Sequence, residues 1–316
     1  MSSWHIRFSW LYAFWKFSRP HTVIGTTLSV MALYSIAAAE ATTILPIATL
    51  PLALFACLCG NIYIVGLNQL EDIGIDRINK PHLPLASGEF SPSQGWSIVG
   101  TTGLLALAVA AWQGIWLLAT VGISLIIGTA YSLPPIRLKR YALWASWCIL
   151  TVRGLVVNLG LFLHFQQTLS PGSAAIPPVI WAVTVFMVGF TIAIAIFKDI
   201  PDLEGDRQFR INTLTVRLGQ RAVFTLAMLL LTTCYLGMIL AGLAGLPGVH
   251  RPFFVATHAL ALISLWWCCY RLGISNSPHL NQRYAQLYLI IWSLFFLEYG
   301  MIPIAVLLNH SANGTI

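Results

Sequence analysis

Residues 90–136 contain no Asp, Glu, Lys or Arg, a run of 47 uncharged positions in a chain of 316. A soluble fold would have to keep nearly all of that stretch away from water. A helix needs roughly 20 apolar residues to cross about 30 Å of hydrocarbon, so the run holds two crossings, hinged near Gln113-Gly114. Comparable runs cover residues 20–39, 41–70, 141–165 (interrupted by Arg153 alone), 180–197, 222–246, 252–270 and 284–308 (interrupted by Glu298). That makes nine. The runs are continuous and do not alternate, which argues against a transmembrane barrel. Charged residues make up only 9% of the chain, against about 25% in soluble domains, and the mean hydropathy is +0.79. The expected fold is all-α: a polytopic membrane protein of nine transmembrane helices, organised as a single domain over residues 1–316.

Basic residues test the count. Nine spans put five connecting segments on one side, and 15 of the 17 Lys and Arg residues fall in those segments. Arg251 alone lies opposite, and Arg153 sits within a span. A miscounted helix would scramble this asymmetry, so the positive-inside rule predicts a cytoplasmic N-terminus. Residues 1–17 are aromatic-rich and lack the Ser- and Arg-rich character of an organelle transit peptide, which points to a bacterial or already mature chain. The six cysteines all lie in apolar stretches, with neither zinc nor disulfide spacing. The 12 tryptophans read mostly as an interfacial belt.

Acidic residues are distributed quite differently. Seven of the ten fall within 71–76 and 199–206, at the ends of the second and sixth spans and on the same predicted side. Asn68, Asp72 and Asp76 recur every four residues, which on a helix makes one stripe with neighbours about 5–6 Å apart. Asp202 and Asp206 repeat that spacing, and Asp199 precedes Asp202 by three. Like charges so placed repel, and a cation between them relieves the repulsion. An oxygen-only donor set without Cys or His suits magnesium and argues against zinc. Arg77, Lys80, Lys198, Arg207 and the trio Arg137, Lys139 and Arg140 flank the acids. Magnesium with Lys and Arg is a diphosphate-binding combination, so the implied substrate is a diphosphate whose other end belongs in the membrane. No Walker-type glycine loop is present, which counts against a nucleotide. Nothing suggests nucleic acid or a protein partner. A cation-coupled transporter remains the alternative, although transporters hold their coordinating acids near the midplane and not at span ends.

These residues resemble a known family. Asn68-Gln69-Leu70-Glu71-Asp72-Ile73-Gly74-Ile75-Asp76 is similar to the first aspartate-rich motif of the UbiA-type intramembrane prenyltransferases. Lys198-Asp199-Ile200-Pro201-Asp202-Leu203-Glu204-Gly205-Asp206 is similar to the second. Arg19-Pro20 and the stretch from Tyr131 through Pro134-Pro135 to Arg140 extend the resemblance over almost the whole chain. The family often has Asn-Asp where this chain has Asn68-Gln69, a departure shared by its tocopherol and chlorophyll branch. Asp76-Arg77-Ile78-Asn79-Lys80-Pro81, followed by Leu83-Pro84-Leu85-Ala86-Ser87-Gly88, resembles the cyanobacterial members that prenylate homogentisate with a phytyl group. A solanesyl donor or a chlorophyllide acceptor stays open.

The resemblance implies a UbiA-like bundle in a cyanobacterial thylakoid or plasma membrane. It implies that Asp72, Asp76, Asp202 and Asp206, with Asn68 and Asp199, hold two Mg2+ ions on the donor diphosphate. Lys198, Arg137 and Arg140 would add positive charge, and Tyr131 and Tyr63 would offer ring faces to the allylic cation. Four residues have other roles open to them. Arg153 would bind the acceptor carboxylate or the diphosphate, or pair with Glu298. Arg19 is either a ligand or an interfacial anchor. Asn158 lines the same cavity as Arg153 or bonds between helices. His21, beside Arg19, is a candidate base for the acceptor hydroxyl or a structural group.

Overall fold

The computed structural model describes residues 3–41, 46–172, 175–200, 203, 207, 213–273 and 280–312. Among the described residues the chain is helical and has no strand. In order, the helices are α1 (Ser3–Phe17), α2 (Pro20–Ala39), α3 (Thr49–Glu71), α4 (Ile73–Asn79), α5 (Pro84–Ser87), α6 (Pro92–Gln113) and α7 (Ile115–Ser132). A 3-10 turn (Leu138–Arg140) follows, then α8 (Ala142–Ile149), a π-helical turn (Leu150–Val156), α9 (Val157–Leu169) and α10 (Pro178–Phe197). The remainder is α11 (Leu214–Leu218), α12 (Gln220–Leu243), α13 (Arg251–Leu272) and α14 (Leu280–Ala312). Nine helices among the described residues are long and apolar enough to cross a membrane, the fifth (Leu143–Leu169) being assembled from α8, the π turn and α9. The expected hinge is where the sequence put it: Gly114 ends α6 and starts α7 with φ +122, a conformation that only glycine adopts without strain.

The backbone packs as two compact units. The first comprises Met1–Met31 and Pro46–Lys139 and the second Ala32–Leu45 and Arg140–Ile316. In the first, α3 packs closely on α6 and α7 because glycines meet its large side chains. A Cβ added at Gly103 would come 2.6 Å from the Tyr63 ring, and one at Gly128 would come 2.7 Å from Ile64 Cγ1. Ala13, Phe17, Leu67, Leu85, Phe90 and Val99 form a buried cluster that fixes the C-terminal end of α3.

The second unit is built around α10, which buries Phe186, Met187, Phe190 and Phe197. The π turn presses on its side: a Cβ at Gly154 would come 2.8 Å from Val188 Cγ2 and 3.2 Å from Val188 Cα. In the same unit, α13 and α14 place His258 Nε2 3.2 Å from Glu298 Oε2, both residues fully buried.

Candidate active site

α3 stops at Glu71 because Asp72 leaves helical geometry (φ −113, ψ 15), and α4 resumes at Ile73. The interruption is short enough that the backbone N–H of Asp72 still donates to Asn68 O (3.1 Å) and that of Asp76 to Asp72 O (2.7 Å). The four-residue stripe of Asn68, Asp72 and Asp76 therefore survives the break. Gln69, where the family often has Asp, is buried, and its amide donates to Phe17 O at 2.7 Å and Val65 O at 3.2 Å. A carboxylate there could not donate, so the departure belongs to the packing of α1 against α3.

Cations converge on the stripe. Arg19 Nη2 donates to Asn68 Oδ1 (3.2 Å), and Asn68 Nδ2 donates to Asp72 Oδ2 (3.1 Å). Arg137 Nη2 donates to Asp72 Oδ1 (3.1 Å) and to Glu71 O (3.3 Å), while Lys139 Nζ donates to Asp72 Oδ2 (2.7 Å). Both oxygens of Asp72 are thus held by cations. Arg19 (φ +52) and Arg137 (φ +39) are the non-glycine residues at positive φ among the described residues. That conformation costs roughly 1–2 kcal/mol per residue and tends to persist where the surroundings impose it, often at functional sites. Here it turns both guanidinium groups onto one motif. Burial draws Arg19 and Lys139 below their ordinary pKa ranges, and nearby carboxylates pull them back up. Tyr131 lies close enough to bear on the Arg19 charge.

Asp76 is the exception. It is 5% exposed, its Oδ2 is buried, and no hydrogen-bond donor reaches that atom among the described residues. Burial pushes its pKa above the carboxylate range despite the opposing pull of Lys80, Arg19 and Lys139. An unanswered buried carboxylate oxygen beside Asp72 and Asn68 fits a hard divalent cation. No three of His, Cys, Asp and Glu converge as a ready metal group among the described residues. Asp202 and Asp206 lie outside those residues. Of the second motif, Lys198 caps α10, and its Nζ lies 3.9 Å from Asp199 Oδ1.

The first unit gathers Asn68, Asp72, Asp76, Arg19 and Arg137 as one group. Lys139, placed by the sequence among the bases flanking the acids but given no role of its own, joins them. The signal was the three-base loop, but which base turns inward is set by the 3-10 turn, which half-buries Lys139 and leaves Arg140 exposed. Tyr63 packs edge-on against Gly103 and shares a hydrogen bond with Thr129 Oγ1 (2.8 Å), so its ring is held between α6 and α7. His21 is exposed on α2. In the second unit, Asn158 donates to the carbonyls of Arg153 (3.2 Å) and Gly154 (2.8 Å) and accepts from Tyr299 Oη (3.1 Å), the interhelical bond that was one of its two readings. Glu298, considered as a partner for Arg153, pairs with His258 instead.

Known proteins resemble this chain in sequence and in fold. The UbiA prenyltransferase family model matches residues 28–295. A homogentisate phytyltransferase of Synechocystis is 53% identical over 95% of this chain and 97% of its own length. Homogentisate phytyltransferase 1 of Arabidopsis thaliana is 40% identical, covering 92% of this chain and 74% of its own. Among solved structures, a UbiA homologue from Archaeoglobus fulgidus bound to GPP and Mg2+ superposes with a TM-score of 0.63 at 18% identity, over 93% of this chain and 99% of its own. The chain is an integral membrane protein of the UbiA prenyltransferase family.

Proposed function

We propose that this protein transfers the phytyl group of phytyl diphosphate to homogentisate with loss of carbon dioxide, as a Mg2+-dependent step of tocopherol synthesis. The observation that carries the reading is the first motif: an oxygen stripe at the end of an apolar helix, rimmed by Arg19, Arg137 and Lys139, with one buried Asp76 oxygen unanswered. The 53% identity to the Synechocystis phytyltransferase supports the choice of donor and acceptor.

Asn68, Asp72 and Asp76, with Asp202 and Asp206 of the second motif, are the residues that would hold two Mg2+ ions. Bound there, the metal would neutralise diphosphate charge as the leaving group departs. Arg137, Lys139, Arg19 and Lys198 offer N–H donors to the phosphate oxygens, the arginines in a fixed fork. The allylic C–O bond breaks with its electron pair leaving on pyrophosphate. The electron-rich ring of homogentisate supplies the pair for the new C–C bond, and the surrounding helices keep water from the carbocation. Tyr131 presents a ring face to that charge. Loss of the carboxylate as carbon dioxide leaves an electron pair on the methylene, which takes up a proton in place of the one the ring releases. The motif loops face the cytoplasm in this reading, and the membrane is a cyanobacterial thylakoid or plasma membrane.

The test is an assay of the purified protein in detergent, with homogentisate and phytyl, geranylgeranyl and solanesyl diphosphates, with Mg2+ or with EDTA. Phytylated quinol and carbon dioxide, formed only with Mg2+, are the expected result. Product from a different donor or acceptor would move the substrate and keep the chemistry. Absence of pyrophosphate release with every pair would overturn the reading and favour a cation transporter.

A further inference from the structure

We propose that Arg153 binds the carboxylate of the aromatic acceptor, an assignment that rests on the homogentisate reading above. Arg153 lies ten residues into the candidate span Leu143–Leu169, about 15 Å of helix from its start. A charge at that depth is costly unless something answers it. Among the described residues no carboxylate is within ion-pair distance of Arg153, and the nearest candidate in sequence terms, Glu298, is taken by His258.

What Arg153 does meet is aromatic. Its guanidinium lies 5.2 Å from the Trp292 ring centroid and 5.7 Å from that of Phe295. Such contacts orient a guanidinium but fall short of offsetting its withdrawal from water.

The placement is built from several elements. Arg153 sits inside the π-helical turn, a geometry that is rare and frequent at functional sites. Asn158 holds the carbonyls of Arg153 and Gly154, Tyr299 holds Asn158, and Gly154 lets the turn press on Val188 of α10. Four residues before Trp292, Tyr288 stacks on Phe197 at 6.1 Å and 3°, next to Lys198 at the second motif. Tyr288, Trp292 and Phe295 are spaced i, i+4, i+7 on α14 and so share one face. That aromatic stripe leads from the second motif to Arg153 within one unit.

The ligand chemistry follows. A planar guanidinium fork matches a carboxylate through two parallel hydrogen bonds, and the flanking rings match an aromatic body. A diphosphate belongs with the acids at the span ends, and a neutral quinol would leave the charge unanswered. An arylacetate answers both the charge and the rings, with its ring directed along the stripe.

The experiment compares wild type, Arg153→Met and Arg153→Lys as purified full-length protein. It measures KM for homogentisate and for phytyl diphosphate, and equilibrium binding of homogentisate and of uncharged methylquinol. Arg153→Met is expected to raise the homogentisate KM and Kd on the order of 30-fold, the worth of a charge-assisted pair. Donor KM should stay within about twofold, and methylquinol binding should not change. Arg153→Lys, which keeps the charge and loses the fork, should show a rise of about fivefold and is the decisive variant if the Met protein does not fold. A shift in donor KM would make Arg153 a diphosphate ligand. Unchanged homogentisate KM, or equal loss of methylquinol binding, would reduce it to a structural clasp. If wild type neither binds nor converts homogentisate, the functional reading above falls first and this one with it. If wild type is active and the variants match it, only the Arg153 assignment falls.

Discussion

Two carboxylate sites in this protein are compensated in opposite ways. At the end of α3, Asp72 is held by Arg137 and Lys139 together, and Arg19 sits one step away on Asn68. Deep in the second unit, Glu298 faces His258, with the Tyr235 hydroxyl beside it and no Lys or Arg among its described ion-pair partners. His258 Nδ1 lies 2.6 Å from Phe254 O, a carbonyl that only accepts, so Nδ1 carries a proton. Its Nε2 lies 3.2 Å from Glu298 Oε2, within ion-pair distance. Glu298 and His258 thus face each other one to one in a fully enclosed setting, with Tyr235 beside the carboxylate. The α3 motif gathers several cations around Asp72 and leaves an Asp76 oxygen that no hydrogen-bond donor reaches among the described residues. A balanced pair is architecture, and an unbalanced cluster awaits a ligand of both signs.

The strongest way to break that contrast is Asp72→Ala. It should reduce turnover by at least about 10³-fold, since the loss is of transition-state charge stabilisation, while thermal unfolding in detergent stays close to wild type. Loss of folding together with activity would mean that the motif is architectural too. His258→Leu should do the reverse. Removing one member of a buried pair costs about 3–5 kcal/mol, so a marked drop in the thermal melt is expected with turnover per folded molecule retained. Glu298→Gln, whose amide can donate to Nε2, should be much milder. Equal stability of His258→Leu and wild type in a thermal melt would show that the pair is dispensable.

Sequence carried the fold further than it carried the site. Span number, the Gly114 hinge and the all-helical class follow from uncharged run lengths, because a bilayer permits few alternatives. The Asn68, Asp72, Asp76 stripe was legible for the same kind of reason, as four-residue spacing survives a one-residue break in the helix. Lys139 was not legible as a site residue. Whether it or Arg140 turns toward Asp72 depends on a 3-10 turn of three residues, below the scale at which periodicity speaks. The π turn was equally hidden, since 141–165 has the composition of an ordinary span. Pairing with Glu298 was one of the readings open to Arg153 because two lone opposite charges in spans invite it, and the Glu298–His258 contact does not advertise itself in sequence.

A smaller effect sharpens the contrast within the second unit. Gly154→Ala places a Cβ 2.8 Å from Val188 Cγ2 and 3.2 Å from its Cα. Alanine favours helix over glycine by up to about 1 kcal/mol, but overpacking typically costs 1–3 kcal/mol, so a net loss of about 1–2 kcal/mol is expected. Because the turn carries Arg153, homogentisate KM should rise with little change in donor KM. A stabilised Gly154→Ala with normal KM would mean that α10 yields easily and that the turn does not set the position of Arg153.

Tyr299→Phe is the most delicate variant. Tyr299 Oη donates to Asn158 Oδ1, and Asn158 in turn holds the carbonyls of Arg153 and Gly154. Phenylalanine keeps the ring, which packs edge-on against Phe295 at 5.6 Å, and removes only the hydroxyl. A single neutral hydrogen bond contributes about 1 kcal/mol net, and the Asn158 acceptor left behind is buried, so the loss should lie at or slightly above that value. Tyr299 is adjacent to Glu298, which makes the comparison pointed. If the hydroxyl serves only to hold α14, the loss should appear in the melt alone, as for the Glu298–His258 pair. If it also keeps Asn158 aligned beneath Arg153, homogentisate KM should rise a few-fold while the donor KM holds. A change in the melt with both KM values unmoved would assign Asn158 and Tyr299 to the architecture and leave Arg153 to the aromatic rings alone.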